Sequence, residues 1–332
     1  MAALTQITGD ERSARIALAA IAGPGDPLTG RVLTTVSALE TLRLLEDEDP
    51  IPGLDRVETG LWRTRQRPRI DADRIEQALD RTEKSGLRTL IPDDEHYPPG
   101  LADLGHRAPY ILWASGDTEL LQSFAQTLTI TGTHNATAYG RQMASELAVD
   151  LVDDWGVVVA GGGPGIDAAV HETALRNGGR TIAVIPGGID VRGRDSNAQT
   201  LDEIAAQGLL LSESPPGEGG HDADRILARL RIEAALSGSV TLVEADDRSA
   251  AAAVVDRARE LGRPVGAVPG PVTSPASEVP NELIRDGAAQ AVLGASDVLS
   301  IHYPAPKQAP QRPGPEPPTP PRAGPPHHGW GL

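Results

Sequence analysis

The residues of this chain best suited to chemistry form two glycine-rich turns. One is Gly132-Thr133-His134; the other is Gly161-Gly162-Gly163-Pro164-Gly165, followed by Asp167 and His171. Glycine lets backbone N–H groups approach an anion, and a helix that starts after such a turn adds its partial positive charge. Two such cradles side by side predict a nucleotide or nucleic-acid ligand. Asp167 falls in the first turn of the helix, where a carboxylate suits the dipole and ties down free N–H groups, so it reads as a structural cap of the phosphate loop. Asp167 and His171 stand four apart on one helix face and are the one suggestive catalytic pair. A capping aspartate and a histidine packed against the sheet is the better reading, and no catalytic residue and no metal ligand is expected.

The elements must bring both turns to one edge. Residues 128–131 are a short apolar run ending at Gly132, and Met143, Leu147 and Leu151 then recur every fourth position, which predicts the core face of an amphipathic helix. Residues 157–159 begin a second strand that runs into the glycines. The pattern continues with 181–185 before Pro186-Gly187-Gly188, 209–211 before Ser212-Glu213, 240–243 before Glu244, and 264–268 before Pro269-Gly270. Strands alternating with helices predict an α/β fold with a Rossmann-like, doubly wound, mostly parallel sheet. Its ligands sit beyond the carboxyl ends of the strands, where strand order reverses. The acidic residue that holds a ribose about twenty positions after a dinucleotide fingerprint is not placed here, which disfavours NAD, and no cofactor is expected.

These residues resemble the DprA/Smf family of DNA-processing proteins. Gly132-Thr133-His134 with Tyr139-Gly140 is similar to the family's G-S-R followed by Y-G, and residues 161–171 to S-G-x-A-x-G-I-D-x-x-A-H. Ser212-Glu213-x-Pro215-x-Gly217 is similar to S-E-x-P-x-G, Arg229-Leu230-Arg231-Ile232 to R-N-R-I, Val243-Glu244-Ala245 to V-E-A, and Asn281-x-Leu283-Ile284 to N-x-L-I. The resemblance implies a non-enzymatic protein that binds single-stranded DNA, forms a homodimer, and loads a RecA-type recombinase during DNA uptake or recombination. By that resemblance the DNA lies against Gly132, Thr133, His134, Gly161, Gly162, Gly163 and Gly165, with Arg192, Arg194, Arg229 and Arg231 on phosphates. The chain departs from the pattern where His134 and Pro164 replace arginines, and a neutral imidazole does not reproduce a guanidinium fork. Compensation requires Arg192, Arg194, Arg225, Arg229, Arg231 and Arg248 to face the same groove. A second reading keeps the cradle and changes the ligand: a small-nucleotide sensor or nucleotide-processing enzyme. Pro186-Gly187-Gly188 resembles the start of the motif of the lysine-decarboxylase-like phosphoribohydrolases, without the G-T-x-x-E that follows it there.

Composition bounds both readings. With 30 Lys+Arg against 46 Asp+Glu, the formal charge of −16 opposes long-range attraction to a polyanion, so DNA binding is expected to be local and salt-sensitive. One Phe, four Tyr and four Trp leave few platforms for stacking bases. The absence of cysteine excludes disulfides and thiolate chemistry. No apolar stretch approaches the roughly 20 residues that span a bilayer and no signal pattern opens the chain, so a cytoplasmic protein without a membrane partner is expected. Four segments are expected. Residues 1–70 form a helical unit resembling a sterile-alpha-motif or helix-hairpin-helix domain around Ile21-Ala22-Gly23-Pro24-Gly25, read as a structural or protein-contact element. Residues 71–122 connect, 123–302 form the Rossmann-like domain, and 303–332 form a disordered proline-rich tail.

Overall fold

The computed structural model describes residues 4–154, 156–194, 197–220 and 222–303. Apart from Tyr303, the tail expected over 303–332, with His327 and His328, lies outside the described residues.

Six helices come first: α1 (Leu4–Ile7), α2 (Glu11–Ile21), α3 (Pro27–Leu33), α4 (Ala38–Glu46), α5 (Arg56–Gln66) and α6 (Ala72–Ser85). Short polar residues start them. Asp10, Asp26, Ser37, Asp55 and Asp71 each accept a first-turn amide, a contact that contributes about 1 kcal/mol. α6 stops at Gly86, whose φ of 67° is the left-handed C-cap that glycine adopts without strain. Leu18, Leu42, Leu45 and Trp62 are fully buried between these helices, and the Trp62 indole N–H donates to Thr29 Oγ1 at 2.9 Å.

The described residues that follow build a nine-stranded sheet in the order β1-β2-β6-β5-β4-β3-β7-β8-β9. In chain order the elements are β1 (Arg88–Leu90), β2 (Leu112–Gly116), β3 (Thr127–Thr131), α7 (Ala138–Asp154), β4 (Val157–Gly161), α8 (Ile166–Arg176), β5 (Arg180–Ile185), α9 (Ala198–Gln207), β6 (Leu209–Ser212), α10 (Ala223–Ala235), β7 (Ser239–Leu242), α11 (Ala251–Glu260), β8 (Val265–Ala267), α12 (Glu278–Arg285), β9 (Gln290–Ala291) and α13 (Ala295–His302). β3 to β8 coincide with the runs read from sequence and pair in parallel. β1 and β2 add antiparallel pairings at one edge and β9 a parallel one at the other. Residues 71–122 therefore contribute a helix and two strands to the same body.

The chain steps outward from β3 through β4, β5 and β6, then returns to the opposite side of β3 as β7 and β8, so strand order reverses at β3. Leu147 and Leu151 of α7 are buried with Leu128 and Val158, and Met143 packs at the margin of the same cluster. Each buried leucine contributes about 2 kcal/mol. A second core runs without interruption from Leu18 and Leu42 of the helical layer, through Trp113 of β2, to Ile185 and Leu201. The helical layer is thus packed onto the sheet rather than tethered to it. No described helix is long and apolar enough to cross a membrane.

Candidate phosphate-binding edge

Both glycine turns emerge at the reversal point, after β3 and β4. Thr133 N–H donates to Glu244 O at 2.7 Å, and Ile166 N–H donates to Thr133 O at 3.2 Å, which ties the first turn to the start of α8. Gly132 is required by this approach: a Cβ there would stand 2.5 Å from Ile166 Cγ1 and 2.9 Å from Glu244 O. Gly165, with φ of 81°, makes the left-handed bend into α8. The His134 ring rests against Gly163, where any side chain would collide with it. Among the described residues the amides of His134 and Gly162 have no hydrogen-bond partner, and Gly163 N–H makes a long 3.3 Å bond to Asp167 Oδ2. The structure therefore brings Gly132, Thr133, His134 and residues 161–165 together, with the amides of His134 and Gly162 unpartnered among the described residues.

The other half of the edge is closed. Glu244, only 1% exposed, accepts Thr137 N–H at 2.9 Å and the Thr137 hydroxyl at 2.6 Å, and its carboxylate lies against Gly140. A protein carboxylate thus occupies the first turn of α7, where the helix dipole would otherwise attract a ligand anion. In the sequence Glu244 marked a strand end and a motif match, and nothing there showed that it folds back onto α7.

Beneath the second turn lies a buried charge cluster. Arg229 donates from Nη1 to Glu233 Oε2 at 2.7 Å and to Val184 O at 3.3 Å, and its guanidinium presses against Gly161. Asp167 holds Gly163 N–H and caps no amide of α8 through its side chain. Asp167 Oδ1 and Glu233 Oε1 are buried without a hydrogen-bond partner among the described residues. Burial pushes the Asp167 carboxyl up to about 6 and the Glu233 carboxyl up to about 7, against the pull of the Arg229 charge. His171 bonds through Nδ1 to Thr181 Oγ1 at 2.7 Å and through Nε2 to Gly161 O at 2.8 Å, and burial lowers its pKa to about 4. It is a neutral packing residue, and Asp167 and His171 serve different backbone partners. The His134 imidazole is likewise pushed down, first by burial and then by the Arg229 charge.

The arginines correct the expectation drawn from the R-N-R-I resemblance. Arg231 is 5% exposed and forms a bidentate ion pair with Glu213, Nη1 to Oε2 at 2.8 Å and Nη2 to Oε1 at 2.6 Å. It also donates to Arg107 O at 2.8 Å and Ala228 O at 2.6 Å. Arg229 is 8% exposed and closed by Glu233. Both guanidiniums are thus engaged by their own protein and do not present themselves to phosphates. Helix geometry supplies the reason: at about 100° per residue, positions two apart in α10 point to opposite faces, one under the glycine turns and one toward the helical layer. Arg225 pairs with Glu218, and Arg248 is 86% exposed beside Asp246 and Asp247. Arg192 and Arg194 lie on a short helical segment, Ile189–Arg194, that follows β5 at the same edge; their side chains lie outside the described residues. The Asn197 side-chain amide donates to Gly162 O and steadies the turn from that side. No group of three or more potential ligand side chains among the described residues could hold a metal ion.

The order reversal at β3, with adjacent glycine turns beyond it, defines a doubly wound α/β protein, the class in which ligands sit at the carboxyl edge of the sheet. Residues 88–302 match the family model described as DNA recombination-mediator protein A, and the chain belongs to that family. A DNA processing protein DprA of Mycobacterium tuberculosis (strain ATCC 25618 / H37Rv) is 38% identical over 268 residues, covering 76% of this chain and 68% of the relative. DprA of Bacillus subtilis (strain 168) is 34% identical over 226 residues, covering 68% of this chain and 75% of the relative. Among solved structures, DprA of Streptococcus pneumoniae superposes with a TM-score of 0.67 at 28% identity, over 86% of this chain and 95% of that one. DprA from Helicobacter pylori, in a structure described as giving insight into its single-stranded DNA binding mode, superposes with a TM-score of 0.58 at 27% identity, over 66% of this chain and 98% of that one.

Proposed function

We propose that this chain binds single-stranded DNA along the carboxyl edge of the sheet and holds its phosphates on backbone amides. The observation that carries this reading is the pair of adjacent turns after β3 and β4, where the amides of His134 and Gly162 are unpartnered and Gly163 is only weakly engaged. Thr133, His134, Gly162 and Gly163 form the contact surface. Gly132, Gly161 and Gly165 shape it, Asp167 braces it from below, and Arg192 and Arg194 are assigned to phosphates from the short helical segment after β5. Amide recognition suits a chain with this net charge, because it adds no side-chain cation. The Helicobacter pylori relative, whose structure concerns single-stranded DNA, supports the same ligand.

The role proposed is that of a carrier rather than of an enzyme. We further propose that the protein works as a cytoplasmic homodimer that delivers DNA to a RecA-type recombinase during recombination or DNA uptake; the family description as a recombination mediator supports a role in recombination. Fluorescence anisotropy of a labelled oligothymidylate over a salt series tests the DNA reading. Saturable binding at low salt, weakening with a slope of about 0.7 per phosphate contact, is expected. Saturable binding of a mononucleotide with none of the oligonucleotide would refute it in favour of a small-nucleotide site. Recombinase filament growth on the bound strand, measured with and without the protein, tests the delivery step; an unchanged rate refutes it.

A further inference from the structure

A further cavity lies away from the glycine turns. It is a cleft of about 1120 Å³ between the helical layer and the start of α10. Its walls are the Gly23-Pro24-Gly25 turn, the end of the short helical segment Pro99–Arg107, and Glu213 to Pro215 after β6. Glu213 to Pro215 follow β6 at the carboxyl edge of the sheet, so one end of the cleft reaches the edge that carries the glycine turns, two strands along from β4, while its other end runs to the close of α11 at Arg257 and Glu260. At about 4.8 Å between neighbouring strands, the offset is only about 10 Å.

The charge of the cleft is opposite in trend to that of the chain. Seven arginines and six carboxylates line it, whereas the whole sequence carries 30 Lys+Arg and 46 Asp+Glu. Most of the lining carboxylates are already used: Asp26 pairs with Arg65, Glu213 with Arg231, Glu260 with Arg257 and Asp103 with Arg263. Asp222 caps α10, and Asp224 is left on the rim. Arg69 and Arg107 are exposed, and among the described residues neither side chain has an ion-pair or hydrogen-bond partner. Both are anchored in one continuous floor. Arg69 Nη1 would stand 3.7 Å from a Cβ at Gly23, a Cβ at Gly25 would touch the Arg231 guanidinium at 2.8 Å, and Arg231 holds the Arg107 carbonyl.

We propose that the cleft is a second segment of the DNA path, in which Arg69 and Arg107 hold phosphates of a strand leaving the glycine turns past β5 and β6. This rests on the single-stranded DNA reading above and extends it: the helical layer becomes part of the binding surface, and the path is longer than the turns alone provide. The opposite-charge match between two free guanidiniums and a phosphodiester chain selects this occupant, as does the continuity of the edge.

The test compares oligothymidylates of about 5 and about 16 nucleotides, close to the two ends of the range of about 4–16 nucleotides known for single-strand sites, by anisotropy on the full chain. The Arg69→Ala/Arg107→Ala variant should bind the long strand about tenfold more weakly. Its salt slope should fall by about 1.4, that is about 0.7 for each of two lost contacts, while binding of the short strand is unchanged. An Arg176→Ala/Arg180→Ala variant, equal in charge and at the opposite edge of the sheet, should bind both strands as the wild type does. Wild-type affinity and slope for the long strand in the first variant would overturn the extension while leaving the glycine-turn site standing. A wild-type protein that binds neither strand would overturn both.

Discussion

Replacing Arg231 by alanine separates a buried structural ion pair from a DNA contact. The side chains of Arg231 and Glu213 are 6% and 8% exposed and meet through two hydrogen bonds of 2.8 and 2.6 Å. Arg231→Ala leaves the Glu213 carboxylate enclosed without its partner and frees the carbonyls of Arg107 and Ala228. Removing one member of such a pair costs about 3–5 kcal/mol. At about 2–4 °C per kcal/mol for a large domain, the melting temperature should fall by about 10 °C. Thermal unfolding followed by circular dichroism reads this directly. The variant Arg231→Met/Glu213→Leu, which removes both charges and keeps the volume, should recover most of the loss, because well-packed apolar residues replace buried ion pairs at little cost. Below the transition, the salt slope for a short oligonucleotide should match that of the wild type. A variant that melts like the wild type but loses about 0.7 in slope would refute the argument and return Arg231 to the DNA.

Three further outcomes follow from the turns and the cluster beneath them. Asp167 and Glu233 have folded pKa values above their unfolded ones, so their contribution to stability is complete below about pH 4 and is lost as pH rises through about 6 and 7. His171, depressed to about 4 from 6.5, works in the opposite sense and loses its contribution as pH falls through that window. Glu233→Gln should therefore gain on the wild type in urea midpoint as pH rises from about 4.5 to 7; a difference constant with pH contradicts the assignment. Gly161→Ala drives a methyl into Arg229, 2.8 Å from its Cζ, and should cost about 1–3 kcal/mol in chemical denaturation; an unchanged midpoint contradicts the packing. His134→Arg places a permanent charge at the first turn and should raise both oligonucleotide affinity and salt slope, the latter by about 0.7; no change in either removes His134 from the contact surface.

The six parallel strands were legible because each is a short apolar run ending in glycine, proline or an acidic residue, and that punctuation is local. β1 and β2 were not. Leu112-Trp113-Ala114 lacks alternation because the strand is buried on both faces, and its antiparallel pairing with β6 joins residues about a hundred positions apart, which no local pattern encodes. At the site, the glycines announced the turns, since a close approach requires glycine whatever the surroundings. The partners of the charges stayed hidden: Glu213 for Arg231 and Glu244 for the α7 amides are long-range pairings made by the fold. One constraint was available from spacing. Arg229 and Arg231, two apart on one helix, point to opposite faces and never share a groove.

Amide hydrogen exchange on the full chain, read by mass spectrometry with and without saturating oligothymidylate, tests most directly whether backbone groups of the two turns grip the strand. Slowed exchange in the peptides spanning residues 132–137 and 161–166, reversed by high salt, is the result expected. Unchanged exchange in both peptides while DNA is bound would place the strand elsewhere and contradict the account.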